Sequence, residues 1–196
     1  WTLLILRDLH AGPARFSELQ RGLIGIAANL LTERLNKLVA DDLVEHFDGP
    51  HGVGLYRLTD LGRRTQDILF DLALFGGRFP PQGELAQPGN LRTVATTLGA
   101  AAQRVNTDHM SLDVGFIVDG EHMCLSVNGG EASVVYTTCE KPDLIFETAY
   151  TALLAVSEGE MDFTEFTNEH AKLTVLSEGK DRDTQELMQK IVGLLA

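Results

Sequence analysis

Leucines recur at three- and four-residue spacing through the first forty positions, the period of a helix with one buried face. In WTLLILRDLH (residues 1–10) the apolar positions are Leu3, Leu4, Leu6 and Leu9, and Gly12-Pro13 ends the pattern. Ser17 and Gln20 stand at capping-box spacing in SELQRGL, so a second helix is expected from Ser17, with Gly22 and Gly25 bracketing a turn. A third helix follows in GIAANLLTERLNKLVADDLVEH (25–46), with Leu31, Leu35, Leu38 and Val39 on one face. LVEHF and LYRLT read as short strands around the Gly-rich DGPHGVG, a hairpin. After Thr59, DLGRRTQDILFDLALFG carries Leu61, Ile68, Leu69, Leu72 and Phe75, which predicts one long amphipathic helix. Three short helices, a hairpin and a long helix, in that order, predict a winged helix-turn-helix. A generic helical bundle rarely carries a hairpin directly after its third helix.

The periodicity lapses in GGRFPPQGELAQPGN (76–90). Pro fixes φ and lacks a donor while Gly loosens the chain, so this stretch reads as a linker. The expected division is a DNA-binding domain over 1–76, a linker over 77–90 and a second domain over 91–196. In the second domain Leu91, Val94, Leu98, Ala101 and Val105 form a helical stripe. Strands are expected near 111–118, 122–127 and 132–138, separated by the tight-turn pairs Asp119-Gly120 and Asn128-Gly129. Helices are expected over 143–156 and 163–170, then a strand in KLTVLS and a closing helix with Leu187, Met188, Ile191 and Leu195 apolar. The fold class is therefore α+β, a winged helix-turn-helix joined to a mainly antiparallel sheet with helices over one face.

Charge divides the chain at the same place. The net charge of −12 argues against indiscriminate binding to nucleic acid. Residues 1–89 hold 9 Lys/Arg and 11 Asp/Glu, whereas residues 90–196 hold 7 and 17. A near-neutral half and an acidic half point to two domains with different partners. No run of 18 apolar residues occurs, so no membrane span is expected. Residue 1 is Trp and the helical pattern starts at once, so a natural N-terminal segment is expected to precede it. Cys124 and Cys139 fall on what read as neighbouring strands; two cysteines make no disulfide framework, and a reducing cytoplasm is the expected compartment.

The run WTLLILRDLHAGPARFSELQRGLIGIAANLLTERLNKLVADDLVE, followed by YRLTDLG, resembles the HxlR family of bacterial transcriptional regulators. The matching motifs are Trp-Thr-Leu, Arg-Phe-Ser-Glu-Leu, Gly-Ile, Leu-Thr-x-Arg-Leu and Tyr-x-Leu-Thr-x-x-Gly, over residues 1 to about 76. The resemblance implies a homodimer on double-stranded operator DNA, with dimer contacts in the first and last helices. A recognition helix offers its N-terminal residues to base edges while its apolar side packs on the core. The outward positions here are Ala27, Ala28, Asn29, Thr32, Glu33, Asn36 and Lys37. Asn29 can pair with adenine, and Thr32 with a base edge or phosphate. Arg15, Arg21, Arg34 and Lys37 are candidate phosphate contacts, with His51 and Arg57 on the wing. The family usually has a Ser-type cap where Ala27 stands and often a basic residue near Asn29, so weaker binding is expected.

LDVGFIVDGEHMCLSVNGGEASV, KPDLIFETAYTALLAVSEGE and AKLTVLSEG are similar to the sterol-carrier-protein-like fold. That resemblance implies a cavity for a lipid-like effector, which Phe116, Met123, Phe146, Tyr150, Phe163 and Met188 would line. Core packing accounts for the same six residues, because cavities and cores use the same residue types. His122 and Cys124 share a strand face at a spacing a metal could use, but no second pair completes a site. Nucleophile-elbow, zincin, phosphate-loop and dinucleotide motifs are all lacking, so neither a cofactor nor enzyme activity is expected. The expected function is a ligand-controlled, homodimeric transcriptional regulator. The competing readings are a second domain serving only dimerisation or protein contacts, and a lipid carrier that has lost DNA binding.

Overall fold

The computed structural model describes residues 1–76, 91–157 and 159–195, and the expected linker over 77–90 lies outside the described residues. Two compact units form, Trp1–Thr96 and Thr97–Ala196.

In the first unit, α1 (Thr2–His10) buries Ile5, Leu6 and Leu9 and leaves Leu3 and Leu4 exposed. α2 spans Phe16–Gly22, starting one residue before the expected Ser17. The Glu18 carboxylate accepts the Arg15 backbone N–H at 2.7 Å, so Glu18 rather than Gln20 closes the cap. An ionised acceptor makes the stronger bond there. α3 (Ala28–Ala40) buries Leu31, Leu35 and Leu38 at helical spacing, while Val39, on the rim of that stripe, is exposed. These residues share one core with Ile5, Leu6, Leu9, Leu19 and Leu23.

β1 (Val44–Asp48) and β2 (Gly54–Leu58) pair antiparallel from Val44↔Leu58 to Asp48↔Gly54, with a 3₁₀ turn over Pro50–Gly52 at the tip. Ala14 and Tyr56 exchange backbone hydrogen bonds at 2.9 Å each, tying the α1–α2 connection to the hairpin. The expected single helix over 60–76 is two, α4 (Asp60–Arg63) and α5 (Gln66–Gly76). Thr59 caps α4 by accepting the Gly62 N–H at 3.0 Å, and the Thr65 hydroxyl donates to the Gly62 carbonyl at 2.7 Å. Side-chain bonds of this kind compete with helix continuation. Gly62 is also a close-approach point, since a Cβ there would sit 2.0 Å from the Leu43 carbonyl oxygen. Only Phe70 of α5 is buried; Ile68, Leu72 and Phe75 from its apolar stripe are exposed.

The first turns of α6 (Leu91–Gln103) belong to this unit, which runs past residue 91, the expected start of the second domain. The buried Arg92 guanidinium donates to the carbonyls of Asp8 (3.2 Å), Gly12 (3.0 Å) and Pro13 (3.1 Å). Its planar fork presents five N–H donors in fixed directions, so three carbonyls are served at once. Burial pulls its pKa below the ordinary value, with Glu18 and Asp8 acting in the opposite direction. The Thr96 hydroxyl adds a bond to the Arg7 carbonyl at 2.7 Å.

The second unit is built on a five-stranded sheet in the order β5-β4-β3-β6-β7. Its strands are β3 (Ser111–Val118), β4 (Glu121–Asn128), β5 (Glu131–Val135), β6 (Leu144–Thr148) and β7 (Ala171–Val175). The β3–β6 pairing is parallel and the other three are antiparallel. β6 and the helix α7 (Tyr150–Ser157) occupy the stretch expected as one helix over 143–156. Leu144, Phe146 and Thr148 are buried while Glu147 is exposed, an alternation with period 2 that suits a strand between β3 and β7. α8 (Phe163–Glu165), a wider π turn (Phe166–His170) and α9 (Lys180–Leu195) complete the unit. β5 ends at Val135, short of the expected 138.

Candidate functional site

The buried leucines of α3 leave Ala27, Ala28, Asn29, Thr32, Glu33, Asn36 and Lys37 exposed along the opposite side. Ala27 is the N-cap and supplies no side-chain acceptor, so this helix opens without a capping bond. Asn29, in the first turn, is exposed. The Thr32 hydroxyl donates to the Ala28 carbonyl at 2.9 Å, which leaves its oxygen to accept from a partner. Arg15 and Arg21 are exposed at the two ends of α2, and Arg34 is half-buried.

Several candidate cations are engaged within the domain. Lys37 pairs with Asp41 at 2.8 Å, and Arg34 stands 3.7 Å from Glu33. On the wing, Arg57 meets Glu45 at 2.6 Å and lies 4.3 Å from the centre of the Phe47 ring. His51 sits exposed at the wing tip with φ near 60°, a left-handed conformation uncommon for a non-glycine residue. Exposed pairs of this kind contribute at most about 1 kcal/mol, so a phosphate can replace the carboxylate at small cost.

In the second unit, four of the six candidate ligand-binding residues are core residues. Met123, Phe116 and Phe146 stand in one row across β4, β3 and β6, all buried. Phe116 and Phe146 are tilted rings 5.8 Å apart, Phe146 and Phe166 are 5.5 Å apart, and Phe163 lies 6.1 Å from Phe166. Phe166, unremarked in the sequence, is thus the bridge from sheet to helix layer. Met188 is buried with Leu187 and Ile191 on α9. Tyr150 is half-buried at the start of α7, its backbone N–H donating to Asp119 at 3.2 Å. A depression at the β4–β5 end of the sheet is lined by Gln103, Ser126, Asn128, Glu131 and Ser133 among others, and by none of the six candidates.

Cys124 and Cys139 are joined by a disulfide with the Cα atoms 4.9 Å apart, which corrects the reading of two unlinked thiols. Cys139 lies beyond the end of β5, in chain that returns over β3; a Cβ built on Gly115 would be 3.6 Å from the Cys139 Cβ. The Asp113 carboxylate and the two sulfur atoms all lie within 4.8 Å of one another, and His122 is not in that group. A second group, Glu165, Glu169 and His170, is fully exposed. Near the first core, burial and then the Arg63 charge lower the His10 pKa to about 4, and its ring meets the Thr65 hydroxyl at 3.0 Å.

Parts of the chain are similar to known proteins. An uncharacterized HTH-type transcriptional regulator of Mycobacterium bovis is 36% identical over 86 residues, 43% of this chain and 54% of that protein. The chain therefore spans about half the length of that curated relative. Among solved structures, the reduced form of the transcriptional regulator YodB from B. subtilis is 29% identical and covers 43% of this chain and 84% of its own, at a TM-score of 0.38. The UbiJ-SCP2 ubiquinone synthesis protein is 9% identical and covers 69% and 98%, at a TM-score of 0.35. No described helix is long and apolar enough to cross a membrane. The family model for HxlR-like helix-turn-helix matches residues 1–84 of this chain.

Proposed function

We propose that the protein is a homodimeric, DNA-binding transcriptional regulator of HxlR type. The observation that carries this reading is the outward face of α3, where Asn29, Thr32 and Asn36 stand clear of the buried Leu31, Leu35 and Leu38. A helix so divided is anchored on one side and free to enter a major groove on the other. Arg15, Arg21, Arg34 and Lys37 are the phosphate contacts of this reading, with His51 and Arg57 reaching from the wing. Ala27 and Ala28 offer small apolar surfaces suited to thymine methyl groups. Dimerisation draws support from the exposed apolar side chains Leu3 and Leu4 on α1 and Ile68 and Leu72 on α5, since exposed apolar patches of this kind mark association surfaces.

A mobility-shift assay with DNA upstream of the protein's own coding sequence, at stated salt, tests the proposal. Specific binding is expected, and Arg21→Ala weakens it across all sequences while Asn29→Ala relaxes preference at one base pair. Binding indifferent to both changes would move the reading head elsewhere.

In the same proposal the second domain takes a small apolar or amphipathic effector among Phe116, Met123, Phe146, Tyr150, Phe163 and Met188. A second reading, in which that domain serves only dimerisation or protein contacts, is favoured by the close packing of Met123, Phe116, Phe146 and Phe166. Titration with medium-chain fatty acids, followed by intrinsic fluorescence and thermal shift, separates the two.

A further inference from the structure

On the outer side of β3 and β4, opposite the apolar row, three metal-ligating groups converge from three parts of the chain. Asp113 and Cys124 project from adjacent strands two ladder positions apart, Cys124 facing Gly115 in the register. Cys139 comes down over Gly115, its Cβ 3.6 Å from where a Cβ on residue 115 would stand. The carboxylate and both sulfur atoms lie within 4.8 Å of one another, and all three residues are half-buried. The Ser126 hydroxyl lies 3.8 Å from the Cys124 sulfur. The Asp113 backbone N–H donates to the Asp143 carboxylate at 2.9 Å, and the Asp143 N–H returns a bond to the Asp113 carbonyl at 2.7 Å. Both bonds hold the Asp113 backbone to Asp143 on one side, and the β4 ladder flanks the strand on the other.

We infer that Asp113, Cys124 and Cys139 form a redox-gated site for a thiophilic divalent cation of the zinc class. Two thiolates and a carboxylate are a donor set for tetrahedral zinc, with a fourth position left for water. Thiolate sulfur selects zinc over harder cations such as magnesium or calcium. The Cα separation of 4.9 Å suits a disulfide, and a metal at about 2.3 Å from each sulfur needs the two sulfur atoms to move apart by only about 2 Å. The structure holds the oxidised state. A dithiol reductant supplies two electrons and two protons, is itself oxidised to a disulfide, and leaves Cys124 and Cys139 as thiols. Each thiol loses its proton as the cation binds, so disulfide and metal complex are mutually exclusive. Ser126 is placed to hydrogen-bond the Cys124 thiolate, the outer-shell contact that steadies such ligands.

The test uses the full chain, reduced with a phosphine that does not bind metal, and titrated anaerobically with Zn²⁺ against a chromophoric chelator. One equivalent of Zn²⁺ is expected for the reduced protein and none at this site for the oxidised one. Co²⁺ in its place is expected to give a thiolate-to-cobalt charge-transfer band. Cys124→Ser and Cys139→Ser abolish that band. Asp113→Asn, which keeps side-chain volume, weakens zinc by at least about tenfold, the lower end of what even an outer-shell partner contributes. Glu165→Gln, in the exposed acidic group, leaves binding unchanged. Circular dichroism on each variant separates loss of ligand from loss of fold, and Asp113→Asn with native dichroism carries the test if a cysteine variant misfolds. Equal zinc binding by reduced and oxidised protein, a charge-transfer band surviving either serine change, or an Asp113→Asn variant as tight as the parent would each overturn the assignment.

Discussion

The outer face of α3 and the apolar row of the second sheet relate residue type to exposure in opposite ways. On α3 the residues proposed to act are polar or small and exposed, while the residues that hold the helix are leucines and buried. In the row of Met123, Phe116 and Phe146, the residues proposed to act are those that hold the domain together. A surface site can therefore be changed without unfolding its domain, whereas an apolar interior site cannot be separated from stability by inspection. Substitutions distinguish the two cases.

The largest effect is expected at Phe116→Ala, which should destabilise the second unit by about 3–5 kcal/mol in chemical denaturation if the ring is packed core. A much smaller loss would mean that Phe116 faces space already open to a ligand, and would bring the two regions closer in kind. In the first unit, Gly62→Ala places a methyl against the Leu43 carbonyl oxygen and should cost about 1–3 kcal/mol, measured the same way. Asn29→Ala belongs to the other class. It should leave the unfolding midpoint within the scatter of surface changes, about 0.5 kcal/mol, yet lose about 1–3 kcal/mol of discrimination at one base pair. Asp41→Asn is the smallest case, removing an i,i+4 pair worth about 0.3–0.5 kcal/mol and freeing Lys37 for phosphate. A slightly tighter, more salt-dependent complex is the expected reading.

Acid sharpens the comparison from another direction. His10 titrates at about 4 in the folded unit against 6.5 when exposed, burial being the main cause. The unfolded chain takes up the proton first, so the stability from neutral His10 is full above pH 6.5 and drains away as pH falls toward 4. Thermal unfolding of the parent and of His10→Gln should diverge less in that window than at pH 7. Constant divergence would remove His10 as the titrating group.

How legible each part was in the sequence follows from the same contrast. The exposed face of α3 is legible because a helical period sets buried and exposed positions in turn, and Leu31, Leu35 and Leu38 fix the phase. Ser17 and Gln20 fit the capping-box spacing of α2, yet the bond falls to the neighbouring Glu18, because the helix starts one residue earlier. The stretch 143–156 reads as helix because Leu144, Ile145 and Phe146 are followed, past Glu147 and Thr148, by the apolar residues of α7. Its identity as a strand depends on β3 and β7 on either side, which lie far away in sequence. Asp113 and the disulfide were invisible for a related reason. Cys139 lies past the end of β5 in irregular chain, and no periodicity reports where such a segment returns.

The most direct test of the account is a salt series of binding isotherms on upstream DNA for the parent, Arg21→Ala and Asn29→Ala. The parent should bind specifically, with log affinity falling linearly against log salt. Arg21→Ala should reduce that slope by about one on every sequence, and Asn29→Ala should keep the slope and flatten preference at a single base pair. Parent affinity no greater for upstream DNA than for an unrelated duplex, or identical isotherms for all three proteins, would contradict the placement of α3 as the reading element.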